Sequence, residues 1–325
     1  MLFRLLTQLI LASSFLQIFP ADAGVIEQYV NETQVQPVSG VYEAVHLIQR
    51  SFPVARDVSH LPTKVDLNSL GVMTSAVSAL VLDRSSGQVL FEKNSAASRS
   101  MGSITKLMTV LLFLESQPKL DEAVALLSDD LRAGGVQHLA TNDFYTVRDF
   151  LHASLISSDN SATAALVRLA HLSEGDFVAR MNERASELGM RESTFVDPVG
   201  LSQDNRAVAA DIALLLDAAL QNDLIREATE INSLTITGQS GRTYFLENTN
   251  ELLGTYVDQP PYKIVGGKTG YLPAAGYCLG MVLSENNEHE VIVVVLGAET
   301  KEDRLDDVRA LGLWTYKVYA WPNEL

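Results

Sequence analysis

After residue 230 the apolar residues of this 325-residue chain change their spacing, and that change fixes the order in which a fold must be assembled. Upstream, from about 120 to 225, "TVRDFLHASLIS", "NSATAALVRLAHL", "FVARMNERASELGM" and "AVAADIALLLDAAL" repeat apolar positions every three to four residues, the period of one helix face. Downstream, "SLTITG", "TYFLENTN", "YKIVGGKTG", "GYCLGMVLSE" and "EVIVVVLGA" read as strands, and "KEDRLDDVRALGLWTYKVYAW" reads as a closing helix. Another strand pair precedes the helical block: "SALVLD" and "QVLFE" flank "RSSG", a hairpin signal with Gly87 at the turn. Strands, helices, strands and a last helix predict an α/β domain. Its antiparallel sheet is built from both ends of the chain and covered by helices, with a mostly helical subdomain between.

The first residues, "MLFRLLTQLILASSFLQIFPADAG", place Arg4 before an apolar run that closes on Ala21, Asp22 and Ala23, an A-x-A site. Residues 1–23 therefore read as a cleavable export signal. As a retained anchor the run would be short for a bilayer span of ~20 residues, and Thr7, Gln8, Ser13, Ser14 and Gln17 interrupt it. Residues 24–75, mixed and punctuated by proline with one helix-like piece at "VYEAVHLIQR", read as an N-terminal extension; residues 76–320 form the expected domain and 321–325 a tail. The mature chain is expected outside the cytoplasm, periplasmic or extracellular, with no stable membrane anchor.

A formal charge of −16 repels nucleic acid and anionic lipid, and the acidic residues are spread along helix-like segments as a solvated surface would have them. Cys278 is the only cysteine, which excludes an internal disulfide. The six histidines, His46, His60, His138, His152, His171 and His289, form neither H-E-x-x-H nor a close pair beside a cysteine. No metal or other cofactor is expected.

Chemistry enters with "SRSMGSITKLMTVLLFLESQ", where Lys106 interrupts an apolar helix that would be more stable without it. Ser103 lies three residues earlier on the same helix face, where the two side chains can meet. The positive end of the helix dipole and an apolar neighbourhood both disfavour a charged ammonium there, so Lys106 can serve as a base that activates the Ser103 hydroxyl. A second S-x-x-K, Ser116 with Lys119, contains Pro118 and sits where the helix is ending. In "SSDNSA", a loop between helical segments places the Ser158 hydroxyl as a proton relay and the Asn160 amide as a donor to a substrate carbonyl; the alternative is a plain helix N-cap. Ser284 and Asn286 repeat the S-x-N spacing in what looks like a turn between strands. In "VGGKTGYLPAAGY", Lys268 and Thr269 end a strand where a cation and a hydroxyl can hold a terminal carboxylate, and Gly266, Gly267 and Gly270 allow a ligand backbone to approach the sheet edge. S-x-x-K, S-x-N and K-T-G in this order are the signature shared by penicillin-binding proteins and serine β-lactamases.

With those motifs, and with "ALVLDRSSGQVLFEKN", "SMGSITKLMT", "MNERASELGMRESTFVDPVGL", "LENTNELL" and "GGKTGYLPAAGYCL", the chain from about 76 to 320 resembles the low-molecular-mass penicillin-binding proteins, the D-alanyl-D-alanine carboxypeptidase family of serine peptidases. The resemblance implies the penicillin-binding-protein/β-lactamase-like serine transpeptidase fold and no metal. It also implies acylation by peptidoglycan stem peptides or, as covalent inhibitors, by β-lactam antibiotics. Ser103 would be the nucleophile, Lys106 its base, Ser158 the relay and Asn160 the orienting amide. Lys268, Thr269, Gly270 and Tyr271 would bind substrate, the first two through its terminal carboxylate, and the backbone N–H groups of Ser103 and Tyr271 would receive the oxyanion. Where carboxypeptidases of the family usually carry N-P-H-G-L this chain has Asp197, Pro198, Val199, Gly200 and Leu201, and "VGLSQDN" looks more like the endopeptidase branch.

The leading expectation is thus a cell-wall D-alanyl-D-alanine carboxypeptidase that works through an acyl-enzyme. A D,D-endopeptidase cutting peptidoglycan cross-links is the alternative, and a serine β-lactamase comes after it. Among Glu174, Glu183, Glu187 and Glu192, none begins the E-x-x-x-N loop with which class A β-lactamases activate a deacylating water. A penicillin sensor or a degenerate wall-binding module is disfavoured, because all three motifs are intact.

Overall fold

The structure, a computed structural model, describes residues 61–322. The expected export signal, the piece at 41–50 and most of the extension lie outside the described residues.

Ser78–Asp83 (β1) and Val89–Lys93 (β2) form the predicted hairpin. Thr105–Glu115 (α1), Val147–Leu155 (α2), Asn160–Leu169 (α3), Glu174–Glu187 (α4), Ala209–Leu220 (α5) and Asp223–Glu230 (α6) make the helical block. Ser233–Thr237 (β3) and Thr243–Glu247 (β4) pair as a separate ribbon. Tyr262–Leu272 (β5), Gly276–Glu285 (β6) and His289–Ala298 (β7) precede the closing helix Lys301–Val318 (α7). The main sheet is antiparallel throughout with order β5-β6-β7-β1-β2, so strands from both chain ends meet where β7 pairs with β1.

The run "VIVVV" explains why β7 is central. Val291, Val293 and Val295 turn to the face packed by Val308, Leu311 and Tyr316 of α7, while Ile292, Val294 and Leu296 turn to the face shared with Ile212, Leu215 and Leu216 of α5. A strand buried on both faces needs a continuous apolar run rather than alternation. At about 1.5–3 kcal/mol per fully buried aliphatic side chain, this strand is a major source of stability.

Three expectations shift. Residues 120–146 are not helical: Ala123–Ala125 pairs antiparallel with Phe144–Thr146, and the loop between them turns at Gly134 and Gly135, both left-handed at φ +84° and +69°. Helical structure instead runs on through α6, whose Asn222 caps Leu224 N. Near the expected boundary at 76, Thr63 and Lys64 pair with Ala320 and Tyr319, and the Asp307 carboxylate accepts N–H bonds from Ser75 at 3.1 Å and Ala76 at 2.9 Å. Residues 63–76 therefore pack with α7, and Trp321, 4% exposed, donates from its indole to Asp83 at 2.9 Å.

Candidate active site

Ser103 stands in a 3₁₀ turn, Gly102–Ile104, that leads directly into α1. Lys106 follows three residues later in the first turn of α1, where i and i+3 side chains meet, and its Nζ lies 2.9 Å from Ser103 Oγ. Lys106 is fully buried, and its Nζ also contacts Asn160 Oδ1 at 2.8 Å and the Val199 carbonyl at 2.8 Å. Burial lowers its pKa to about 7, against the opposing pull of Asp159 and Asp197. The two outer partners are pure acceptors, so a neutral amine must give both N–H bonds to them. Its lone pair is then left facing the Ser103 hydroxyl.

Asn160 is the first residue of α3, capped by Asp159, whose carboxylate accepts Ala162 N at 2.9 Å and His138 N at 2.7 Å. The Asn160 amide NH₂, expected to face substrate, donates to Gly134 O at 2.7 Å, which ties it to the 131–143 loop. Ser158 sits at φ +61°, a conformation that costs a non-glycine residue about 1 kcal/mol. Its Oγ is buried and makes no hydrogen bond among the described residues. The structure thus joins Ser103, Lys106 and Asn160 directly and leaves the Ser158 hydroxyl, two residues before Asn160, uncommitted.

Val199 is delivered by a turn that Asp197 organises: its Oδ1 accepts Val199 N at 2.8 Å and Gly200 N at 2.6 Å, and its Oδ2 accepts Ser202 N at 2.7 Å. Thr109 Oγ1 on α1 donates to Pro198 O at 2.5 Å and locks that turn to the helix carrying Lys106.

Lys268, Thr269 and Gly270 lie inside β5, which continues to Leu272. Lys268 is 1% exposed, and its hydrogen bonds, to Thr249 Oγ1 and Thr269 O, are both long at 3.4 Å. Burial, then the charges of Lys106 and Arg304, push its pKa well below the usual lysine range. A buried basic group near Lys106 and Arg304 is a place where an anion is favoured. Thr269 Oγ1 donates to Thr249 Oγ1 at 2.6 Å.

The glycines have a different task from the one expected. A Cβ on Gly267 would come 2.6 Å from Gly280 O, and one on Gly266 2.6 Å from Leu220, so both serve packing within the protein rather than approach of a ligand. Gly270 brings β5 against the turn that holds Ser103: a Cβ there would lie 2.2 Å from Met101 O. A Cβ on Gly102 would lie 2.8 Å from Tyr271 N, so the N–H of Tyr271 adjoins the Ser103 turn. Gly270→Ala is expected to force these segments apart and lower acylation of Ser103 by about 10²–10³-fold, the usual loss when one oxyanion donor is misplaced. Adduct formation rates compared with a far-UV spectrum of the variant check it.

Of the repeated spacings, Ser116 Oγ bonds to Phe113 O at the end of α1, and Asn286 stands in the turn between β6 and β7 at φ +54°. Neither approaches this cluster of contacts. The sequence reading missed Val199, Thr249, Gly134 and Arg304. Two of these act through backbone carbonyls, which carry no sequence signal, although Asp197 three residues before Gly200 marks the turn that presents Val199.

The Lys106 pKa also has a thermodynamic consequence. Between about 7 and the ~10.4 of an exposed lysine the unfolded chain binds the extra proton, so the Lys106 contribution to stability is complete above ~10.4 and is lost as pH falls through about 7. The unfolding free energy of the protein minus that of Lys106→Met should rise between pH 7 and 10 by up to ~1.4 kcal/mol per pH unit. Urea titrations at three pH values measure it, and a flat difference contradicts the burial argument.

The sequence pattern of the D-alanyl-D-alanine carboxypeptidase family matches residues 67–300. Similar proteins include a D-alanyl-D-alanine carboxypeptidase, DacF, of Bacillus subtilis, 33% identical over 70% of this chain and 59% of its own length. They also include D-alanyl-D-alanine endopeptidases of Pseudomonas aeruginosa, 33% identical over 81% of this chain and 84% of that protein, and of Escherichia coli, 34% identical over 73% and 76%. Among solved structures, a mutant of a Streptomyces DD-transpeptidase superposes with a TM-score of 0.69 at 26% identity, covering 76% of this chain and all of that one. An ampicillin-bound penicillin-binding protein of Listeria monocytogenes does so with a TM-score of 0.64 at 30% identity, again over 76% of this chain and all of that one.

Proposed function

This chain belongs to the D-alanyl-D-alanine carboxypeptidase family of serine peptidases, and from that premise we propose that it is a D,D-peptidase of peptidoglycan stem peptides acting through an acyl-enzyme on Ser103. The observation that carries the assignment is the three-partner environment of Lys106, which turns the lone pair of a neutral amine onto the Ser103 hydroxyl. Ser103 Oγ attacks the carbonyl of a D-alanyl residue while Lys106 Nζ takes its proton. The tetrahedral oxyanion is held by the N–H groups of Ser103 and Tyr271. The amine leaves with a proton relayed from Lys106 through Ser158, the C–N bond breaks, and water activated by the same lysine later releases the acyl group. Lys268 binds the carboxylate on the leaving side, with Thr269 beside it. Arg304, also buried, adds to the positive field there.

Fast β-lactam hydrolysis finds no support among the carboxylates of the described residues. The two whose charge reaches Lys106, Asp159 and Asp197, are committed to backbone N–H groups. Glu174, Glu183 and Glu187 are exposed and paired with Arg132, Arg180 and Arg184. Cross-link cleavage is favoured as a second reading by Asp197–Leu201 in place of N-P-H-G-L and by the similarity to two endopeptidases over most of their length. A wall substrate requires export, which residues 1–23 are proposed to direct. Purified muropeptide monomers and cross-linked dimers, digested in parallel, distinguish the two activities: loss of D-alanine from monomers marks the carboxypeptidase and conversion of dimers to monomers the endopeptidase. Inertness towards both overturns the proposal.

A further inference from the structure

We propose that Thr249, outside all three motifs, is a substrate-binding residue whose hydroxyl, in place of that of Thr269, donates a hydrogen bond to the carboxylate on the leaving side of the scissile bond; this rests on the D,D-peptidase reading above. Two donors already converge on Thr249 Oγ1: Thr269 Oγ1 at 2.6 Å and Lys268 Nζ at 3.4 Å. A hydroxyl oxygen that accepts two bonds has one hydrogen left, and its own proton must point away from both. Thr269 spends its proton on Thr249, so the free O–H of the pair belongs to Thr249. The bond from Lys268 is long, and that buried amine has no anionic partner among the described residues. A carboxylate placed between Lys268 and the two threonines supplies the missing acceptor and takes charge-assisted bonds from it and from Thr249.

Thr249 is also held as a binding group must be. Its N–H donates to Ile156 O at 3.1 Å, just upstream of Ser158 and Asn160. The flanking Asn248 and Asn250 are buried, with Asn248 Nδ2 donating to Ile231 O at 2.8 Å and Asn250 N donating to Asn248 Oδ1 at 2.9 Å. The turn "NTN" thereby fixes one hydroxyl against Lys268 and Thr269 inside β5. The substrate class follows: stem peptides, and β-lactams, that carry a free carboxylate beside the bond to be opened.

Thr249→Val keeps shape and removes the hydroxyl; Thr249→Ser keeps the hydroxyl. Acylation of Ser103 by benzylpenicillin and by its methyl ester, followed by intact mass spectrometry, reads the difference. Thr249→Val should lower the second-order rate with the free acid about tenfold, the usual loss of a hydrogen bond to a charged group, and leave the rate with the ester within twofold. Thr249→Ser should stay within about threefold of the unaltered protein on both compounds, consistent with a retained donor. Equal losses on acid and ester in Thr249→Val, or no loss on the acid, overturn the role of Thr249 alone. Absence of any adduct on the unaltered protein overturns the peptidase reading and this role with it.

Discussion

Ser103→Ala is expected to abolish the stoichiometric mass increase that ampicillin produces on the intact protein and to lower D,D-peptidase turnover by about 10⁶-fold, the scale of removing a nucleophile. The effect is large because no neighbouring hydroxyl can substitute. Ser158 Oγ is buried and has no hydrogen bond to Lys106, and Thr105 Oγ1 accepts from Asn205 Nδ2 at 3.1 Å. Among the described residues Ser103 Oγ is the hydroxyl hydrogen-bonded to the lysine, and its turn adjoins the N–H of Tyr271. An adduct that persists in Ser103→Ala, mapped to another residue, would overturn the assignment of the nucleophile.

Lys106→Met is expected to lower the acylation rate by about 10³–10⁴-fold, at the upper end of what a positioned base contributes. Its effect should depend on pH. Burial holds Lys106 near 7, so the neutral amine needed for attack is the minority form below that value. Acylation of the unaltered protein should rise about tenfold per pH unit up to 7 and level off above it, and Lys106→Met should show no such limb. Initial rates with a chromogenic cephalosporin between pH 5 and 9 decide the matter, and a flat profile for the unaltered protein rules Lys106 out as the base. Asn160→Ala gives a softer form of the same test, because without Asn160 Oδ1 the amine loses one of the acceptors that aim its lone pair.

The sequence by itself singled out Ser103, Lys106, Asn160, Lys268 and Thr269 as candidates and most of the strands of the sheet. Ser103 and Lys106 are three residues apart on one short turn, and local geometry alone brings them together. β6 and β7 were legible because a strand buried on both faces leaves an unbroken apolar run. Tertiary structure alone decided that the Val199 carbonyl completes the environment of Lys106, that Gly134 occupies the Asn160 amide, and that Thr249 joins Lys268 and Thr269. Each of these contacts spans 19 residues or more. A backbone carbonyl has no residue code, and the direction of a lone pair depends on partners that only packing assembles. The same reason explains the glycines: whether an open Cα faces a ligand or a neighbouring strand is set by what the fold places against it.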